Sequence, residues 1–288
     1  MNPKIALIAR VGAHKGFLEA GAERRGVQVY DTPYGPSRPV HFFRSDGFEF
    51  ALLSRHGEAG YEISAPFINS RANLYALKDL GVEKVLGWVA PGSLQMEMAP
   101  GDLVVPHDVL DEGQGGPHTF YAGVGWGFIR HNPLFCPEMR GALLGSLPGV
   151  PFRVHDQGVY VATTGPRLET AAEVRKFRHF GGALVGQTLV PEVFLARELE
   201  ICYAALAYAV NYAEGLVERP YQPGVLFEGL ATPEEMSRVA AVERAFPEII
   251  LKVLPALAAA PRSCPCPRLM ERYRLRGDIG DYWKTWVR

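Results

Sequence analysis

The hydrophobic pattern of the chain consists of short apolar runs separated by glycine and proline turns. Residues 5–9 form a continuous apolar run, which is typical of a strand buried on both faces, and a loop containing two glycines follows it. Residues 41–44 and 48–53 predict a β-hairpin. The predicted strands comprise residues 5–9, 41–44, 48–53, 82–90, 103–106, 159–163 and 203–210.

Apolar residues at helical spacing follow several of these strands. The predicted helices comprise residues 66–80, 140–147, 171–180, 193–202 and 232–259. Gly81 is a good C-terminal cap for the first helix, and Thr232 is a good N-cap for the last. Pro247 is expected to break or kink that last helix. At 288 residues, the chain suits one large α/β domain, or two at most.

Three predicted strand ends carry polar side chains. The run of residues 160–170 contains a Gly-Pro turn that places Glu169 at the mouth of a helix. A second strand ends at Gln187 and Thr188, and a third ends at Asn211. Strand ends that converge in an α/β sheet form a common site for small molecules, and we expect one here.

Composition excludes several classes of partner. Apolar residues make up 48% of the chain, charged residues 21%, and the formal net charge is -1. With this balance we expect no nucleic-acid partner and no attraction to an anionic membrane surface. No apolar run reaches the roughly 18 residues that suggest a membrane span, and the N-terminus does not resemble a signal peptide. Four scattered cysteines are too few for a secreted disulfide scaffold, so the expected location is the cytoplasm.

Neither the acidic nor the cysteine pairs match a metal motif. Asp108 and Asp111 have no histidine or cysteine at ligand spacing and are interpreted as loop-stabilising carboxylates. Cys264 and Cys266 are one residue apart, cannot bind zinc alone, and could form only a strained disulfide. No metal site is therefore predicted. The segment 261–288 is interpreted as a tail that packs on the body or on a neighbouring subunit.

Many short motifs between residues 5 and 260 together resemble one family, that of the purine nucleoside phosphorylases and methylthioadenosine phosphorylases. The resemblance is closest to the methylthioadenosine/methylthioinosine branch. The matching residues are Arg55-His56-Gly57, Pro66, Ile68-Asn69, Arg71-Ala72-Asn73, Ala76-Leu77-Lys78, Leu80-Gly81-Val82, Gly92-Ser93-Leu94, Pro100-Gly101-Asp102, Thr119-Phe120-Tyr121, Phe135-Cys136-Pro137, Gly165-Pro166-Arg167, Glu169-Thr170, Ala172-Glu173, Val190-Pro191-Glu192 and Leu195-Ala196-Arg197-Glu198.

The resemblance implies a fold and a reaction. The fold would be a single α/β domain over residues 1–260, with a mixed, partly barrel-like sheet flanked by helices. The reaction would be phosphorolysis, in which phosphate displaces a purine from C1′ of a ribose through an oxocarbenium-like transition state. Phosphate is then a co-substrate, no cofactor is needed, and the role is in purine salvage. Members of this branch are homotrimers, or dimers of trimers, in which a neighbouring subunit contributes to each active site.

The resemblance also implies a phosphate site. Arg55 and His56 at a strand end can hold an oxyanion by charge and by bidentate hydrogen bonds. With the Ala90 amide and Thr188 they fall on the family's phosphate-binding positions, and His56 is also assigned a catalytic role.

Base and ribose positions follow from the same resemblance. Glu169 and Asn211 fall on the catalytic, base-reading pair, and a carboxamide at the latter position goes with 6-oxopurines because it can donate to O6 and accept from a protonated N7. Leu168 stands where a phenylalanine stacks on the base, and Gln187 where a methionine packs on the ribose. The irregular loop of residues 112–135 is functional or partner-facing, and its His131 is expected near a neighbour's ribose.

The chain departs from the family pattern mainly at the phosphate site. Val11 replaces a phosphate-binding hydroxyl, Gly60 replaces a histidine, and Val89 replaces a polar residue. Each lost ligand to a buried dianion costs about 1.5–3 kcal/mol of binding. The residues that could compensate with positive charge are Arg10, His14 and Lys15.

Three functions fit this sequence. The first is a phosphorylase acting on a 6-oxopurine nucleoside or a 5′-methylthio-nucleoside. The second is a nucleosidase that uses water, with Glu58 or His56 as the base. The third is a non-catalytic protein that binds nucleosides or serves in assembly. Release of the purine base with and without phosphate separates these alternatives.

Overall fold

Two β-sheets connected by shared chain segments form the centre of the molecule. The computed structural model describes residues 3–113, 118–221 and 223–287. The strands are β1 (Ile5–Ala9), β2 (Glu23–Gln28), β3 (Asp31–Thr32), β4 (Gly35–Pro36), β5 (Val40–Ser45), β6 (Phe48–Ser54), β7 (Lys84–Val89), β8 (Gly92–Ser93), β9 (Leu103–Val104), β10 (Asp108–Asp111), β11 (Val154–His155), β12 (Val159–Ala162), β13 (Gly182–Gly186), β14 (Cys202–Tyr208) and β15 (Asn211–Tyr212).

Helices cover both faces of the larger sheet. The α-helices are α1 (Ala13–Glu19), α2 (Ser70–Asp79), α3 (Pro137–Ser146), α4 (Ala171–His179), α5 (Leu189–Glu198), α6 (Pro233–Ala259) and α7 (Glu271–Arg276). No helix in the described parts of the chain, including the 27 residues of α6, is long and apolar enough to cross a membrane.

The sheets are mixed in direction. The larger has eight strands in the order β11-β9-β14-β7-β1-β6-β5-β2, and the smaller has five in the order β10-β12-β13-β8-β15. The chain passes from the larger to the smaller sheet between β7 and β8, β9 and β10, β11 and β12, and β14 and β15, and it returns between β8 and β9, β10 and β11, and β13 and β14. These crossings connect the two sheets repeatedly, and the mixed α/β fold implied by the family resemblance is confirmed.

Strand β1 shows why this part of the sequence reads as continuously apolar. Ala6 and Ile8 pack in the cluster that contains side chains of α2 and α5. Ile5 and Leu7 point the other way, into the cluster formed with α1, α3 and α6. A strand between two helical layers needs apolar side chains on both faces, which is the pattern that predicted it.

Locally encoded elements agree with their predictions. The β5–β6 hairpin is present, and Thr232 caps α6 by accepting a hydrogen bond from the Glu235 amide, while the Glu235 carboxylate accepts one from the Thr232 amide. This capping box satisfies two amides that lack helical partners.

Two predicted helix features are wrong. Of the break or kink expected at Pro247, the break is absent, because α6 runs unbroken through Pro247 and Pro255. Helix α5 begins at Leu189 and ends at Glu198, about four residues earlier than predicted. Just after this helix, Glu200 has a left-handed backbone with φ 57°. Glycine usually takes this conformation at a helix end, so a glutamate there gives no sequence signal that the helix stops.

The tail beyond residue 261 is in contact with the body. Met270, Tyr273 and Trp286 are buried in the same apolar cluster as side chains of α2 and α5. Arg274 donates to the Glu200 carboxylate at 2.9 Å, and the same carboxylate accepts from the Met270 amide at 2.8 Å. The unusual backbone at Glu200 therefore places a carboxylate under the tail.

Candidate functional site

One row of residues across the smaller sheet places Asn211. In this row Val185 pairs with Gly92, and Gly92 pairs with Asn211. A Cβ at position 92 would lie 2.9 Å from Asn211 Oδ1, so the absence of a side chain there makes room for the carboxamide. Because the chain reaches Gly92 directly from Ala90, the exposed Ala90 lies close to the start of β15.

Glu169 lies directly before the N-cap of α4. Its side chain is buried, and Oε1 accepts a hydrogen bond of 2.6 Å from the Thr163 hydroxyl at the end of β12. Thr170 and Glu173 form a capping box that fixes the start of the helix. Arg167 pairs with Glu173 at 2.6 Å on the outer surface. The carboxylate of Glu169 is thus held at the strand end by the helix start and by one hydroxyl.

The Gly-Pro turn is tied to the neighbouring strand end by Gln187. The Gln187 Nε2 atom donates to the Arg167 carbonyl at 3.0 Å. Gly165 has φ 70°, and a Cβ there would meet the Gln187 side chain at 2.1 Å. Only glycine can occupy this position without moving the glutamine. Leu168 and Thr188 directly follow Arg167 and Gln187 in sequence, and both are half-buried. The Thr188 amide lies 3.4 Å from the Tyr160 hydroxyl.

Arg55 is buried and holds several elements together. Its Nη1 donates to the Trp88 carbonyl at 2.8 Å, and Nη2 donates to the Ile8 carbonyl at 2.9 Å. Nε and Nη2 both donate to the Glu192 carboxylate, at 2.6 and 3.1 Å. A guanidinium has five N–H groups, so these contacts leave one for an anion.

The partner of Arg55 changes the charge of this region. Burial alone would lower the pKa of Arg55, but the ion pair and hydrogen bonds with Glu192 raise it, and the pair is neutral as a whole. Glu192 also accepts from the Tyr203 hydroxyl at 2.9 Å. The sequence motif contained this glutamate, but we assigned it no role. The sequence signal that could have revealed this role is a carboxylate among apolar helix residues, because a buried carboxylate requires a partner of opposite charge or a hydrogen-bond donor.

His56 is a neutral acceptor in this structure. Its Nδ1 lies 3.0 Å from the Ile63 carbonyl, which can only accept, so the proton belongs on Nδ1. Burial lowers the pKa of His56 to about 4, and Arg55 contributes in the same direction. The Nε2 lone pair is therefore available at neutral pH to take a hydrogen bond from a P–OH group or from water.

The loop after β1 offers few free donors. The Gly12 amide donates to the Gly57 carbonyl at 3.1 Å, while Gly12 has φ 63°. Arg10 pairs with Glu243 of α6 and donates to the hydroxyl of Tyr208, at the end of β14, at 2.8 Å. The positive charge of Arg10 is thus committed away from the loop.

Two histidines and a glutamate beside this loop are likewise engaged by protein groups. His14 stacks on His41, with ring centroids 4.8 Å apart, and His41 Nε2 contacts the Glu58 carboxylate. Glu58, considered from sequence as a base for water, is engaged by this histidine.

A cavity of about 250 Å³ adjoins these strand ends. Its lining combines the ends of β12 and β13 with the turn before α2 and with His118. Thr163, which binds Glu169, and Gln187 both line it. Phe67 also lines it and is 70% exposed. In this single chain one wall of the cavity is therefore an apolar side chain that is exposed to solvent.

His131 lies at the opposite end of α5 from Thr188. Arg197 donates from Nε to His131 Nδ1 at 3.1 Å, and partial burial followed by the charge of Arg197 lowers the pKa of His131. Nine residues of helix between positions 188 and 197 correspond to more than about 10 Å. Residues 114–117 of the loop predicted to be functional lie outside the described residues, whereas His131 lies within them.

Comparisons with known proteins agree with this architecture. Residues 4–246 match the sequence profile of the phosphorylase superfamily. The chain is 37% identical over 279 residues to a probable 6-oxopurine nucleoside phosphorylase of Dictyoglomus turgidum, covering 95% of this chain and 99% of that protein. It is 41% identical over 212 residues to a probable S-methyl-5′-thioinosine phosphorylase of Methanothermobacter thermautotrophicus, covering 74% and 72%.

Solved structures show the same fold. A methylthioadenosine phosphorylase from an antarctic soil metagenomic library superposes with a TM-score of 0.83 at 24% identity, over 99% of this chain and 98% of that one. The methylthioadenosine phosphorylase from Schistosoma mansoni, in complex with adenine, gives a TM-score of 0.78 at 25% identity, over 95% and 96%.

Proposed function

Because the chain belongs to the phosphorylase superfamily, we propose that it is a pentosyltransferase that cleaves the N-glycosidic bond of a purine nucleoside with phosphate. The substrate is a 6-oxopurine nucleoside or its 5′-methylthio derivative. The similar proteins named above as 6-oxopurine nucleoside and S-methyl-5′-thioinosine phosphorylases support this class of substrate.

The observations that support this proposal are the Glu169 carboxylate held by the Thr163 hydroxyl and the room that Gly92 leaves for the Asn211 carboxamide. Asn211 can donate to O6 of the base and accept from N7 when that nitrogen is protonated. Glu169, already fixed by Thr163, can accept from N1–H. The hydrogen bond that Asn211 donates to O6 strengthens as negative charge builds on the departing base, so it stabilises the transition state more than the bound nucleoside. Glu169 orients the base by accepting from N1–H.

Phosphate is the proposed co-substrate, and no cofactor takes part. The Ala90 amide, the Thr188 hydroxyl and the one remaining N–H of Arg55 supply its donors. His56 accepts a hydrogen bond from the protonated phosphate oxygen. Fewer donors and a neutral Arg55–Glu192 pair favour weak phosphate binding. A phosphate KM well above that of phosphorylases with a hydroxyl at the Val11 position follows.

We propose a homotrimeric assembly in the cytoplasm that functions in purine salvage. Several large apolar side chains are exposed in the single chain, beside the cavity and near the segment of His131, which supports coverage by another copy. These are Tyr61 at 72%, Phe67 at 70% and Phe128 at 86%. In this assembly His131 of one chain reaches the ribose bound by its neighbour, consistent with its distance from Thr188 within one chain.

Base release with and without phosphate tests the proposal. Inosine, guanosine, 5′-methylthioinosine and adenosine are each incubated with the protein, and free base is quantified. We expect release from the three 6-oxopurine nucleosides only when phosphate is present, with ribose 1-phosphate or its methylthio analogue formed in equal amount. Release at zero phosphate would indicate hydrolysis by water instead. Binding without release under either condition would make the protein a nucleoside binder.

A further inference from the structure

All four cysteines of the chain converge at one buried place. Cys136 is the N-cap residue of α3, Cys202 is the first residue of β14, and the other two belong to the tail. Their exposed fractions lie between 0 and 5%. Cysteines from three separate segments thus meet at the start of β14 in the larger sheet, although only Cys264 and Cys266 are close in sequence.

The distances between the sulfur atoms fit a metal ion better than a disulfide. The four Sγ atoms lie within 4.8 Å of one another, and Cys264 Sγ is 3.6 Å from the Sγ atoms of both Cys136 and Cys202. A disulfide bond is about 2.05 Å long. Four sulfurs around one zinc ion at about 2.3 Å form a tetrahedron whose edges are about 3.8 Å. The two separations of 3.6 Å correspond to edges of this tetrahedron, and the other sulfur atoms lie within 4.8 Å.

Cationic side chains surround this cluster. Arg197 Nη1 lies 3.9 Å from Cys266 Sγ. Arg262 interacts with Cys202, and Lys84 interacts electrostatically with Cys202 and Cys136. A dication with four thiolates carries a net charge of -2, which is costly to bury without compensation. Three nearby cations can offset that charge.

We propose that Cys136, Cys202, Cys264 and Cys266 bind one structural metal ion, of which zinc is the ion that four thiolates favour. The ion attaches the tail to α3 and β14, and the site leaves no open position for substrate or water. The spacing of the last two cysteines did not predict this site, because the other two ligands lie 62 or more residues away in sequence.

The site also reaches the loop that contains His131. Nη1 of Arg197 contacts Cys266 and donates to the Leu134 carbonyl at 2.8 Å, while Nη2 donates to the Arg130 carbonyl at 2.8 Å and Nε donates to His131 Nδ1. A fixed metal cluster therefore holds Arg197 in place, and Arg197 positions the backbone on both sides of His131.

Metal content and thiol titration of the purified full-length protein test the proposal. The protein is isolated without chelators, and zinc is measured by mass spectrometry alongside thiols in the unfolded protein with a chelator. We expect about one zinc per chain and four free thiols. Absence of stoichiometric metal with four free thiols would overturn the proposal. So would a mass deficit showing two disulfides. Cobalt substitution, read by the absorption bands of tetrahedral cobalt thiolates, tests the same geometry without any mutation.

Matched variants locate the ligands. Cys264→Ser with Cys266→Ser should reduce zinc from about one per chain to none and lower Tm. Ser263→Ala changes the neighbouring residue, whose hydroxyl bonds Glu138 rather than the cluster, and should keep the metal. Full zinc content in the double variant would contradict the assignment. If the double variant does not fold, the metal, thiol and cobalt measurements on the unmodified protein decide the matter.

Discussion

The proposed base-binding side and the proposed phosphate-binding side of the site differ in how many of their polar groups are already engaged. Asn211 has space made for it by Gly92, and Glu169 is oriented by one hydroxyl. Arg55, by contrast, uses four of its five N–H groups inside the protein, and the Gly12 amide donates to the Gly57 carbonyl. A family motif predicts which residue stands at a position, but the availability of its donors depends on distant partners.

The largest expected effect concerns the base side. Replacing Asn211 with alanine removes the group that stabilises charge on the departing base, and we expect kcat/KM for inosine to fall about 10²–10⁴-fold. The phosphate KM should change little, since no phosphate donor is removed. Asn211→Asp is the companion variant. In it we expect activity on inosine to fall and the ratio of adenosine cleavage to inosine cleavage to rise. Unchanged inosine kinetics in Asn211→Ala would remove this residue from the base site.

The Arg55–Glu192 pair is expected to act mainly on stability. Glu192→Gln leaves a buried guanidinium without its counter-charge, which costs about 3–5 kcal/mol in the free energy of unfolding. Urea unfolding measures this. Glu23→Gln, which breaks the exposed pair with Arg25, is the control and should change stability by less than about 1 kcal/mol. If Glu192→Gln is as stable as the original but binds phosphate differently, Arg55 serves the anion rather than the pair.

The neutral state of His56 predicts a pH dependence of folding. Because burial lowers its pKa from 6.5 to about 4, the unfolded chain binds more protons than the folded one between these values. The free energy of unfolding therefore falls as the pH drops from 6.5 toward 4, by at most about 3 kcal/mol from this group.

A histidine replacement isolates that contribution. His56→Gln keeps a donor for the Ile63 carbonyl and should flatten the acid limb of a stability–pH curve measured by urea unfolding. His131→Gln is a second test of the same effect, because burial also lowers the pKa of His131 to about 4; its more exposed ring is screened by water, so its contribution should be smaller. Parallel curves for the original protein and His56→Gln would mean that His56 titrates near its ordinary pKa.

The smallest effect concerns the first loop. Val11→Thr restores a hydroxyl at the family's phosphate position, and one hydrogen bond to a charged ligand is worth about 1.5 kcal/mol or slightly more. We therefore expect the phosphate KM to fall about tenfold with little change in the nucleoside KM. Val27→Thr, on the exposed strand β2, should alter neither. No change in phosphate KM would indicate that phosphate does not approach this loop.

Sequence predicted most reliably the features that are encoded locally. The apolar run of β1, the hairpin and the cap at Thr232 depend on neighbours along the chain. The partner of Arg55 is 137 residues away, so no local pattern could show that its donors are occupied. The end of α5 was misplaced because a glutamate, rather than a glycine, takes the left-handed conformation at position 200. Its carboxylate is held there by Arg274 and by the Met270 amide of the tail.

The missing side chain at Gly92 has a consequence for how this protein can evolve. If the proposed role of Asn211 holds, position 211 can exchange a carboxamide for a carboxylate of almost the same shape, and base preference changes in a single mutation. Position 92 has no such freedom, because even a methyl group would meet the Asn211 oxygen at 2.9 Å. In a library of random variants we expect selection for activity to leave position 92 as glycine while position 211 diversifies toward new substrates.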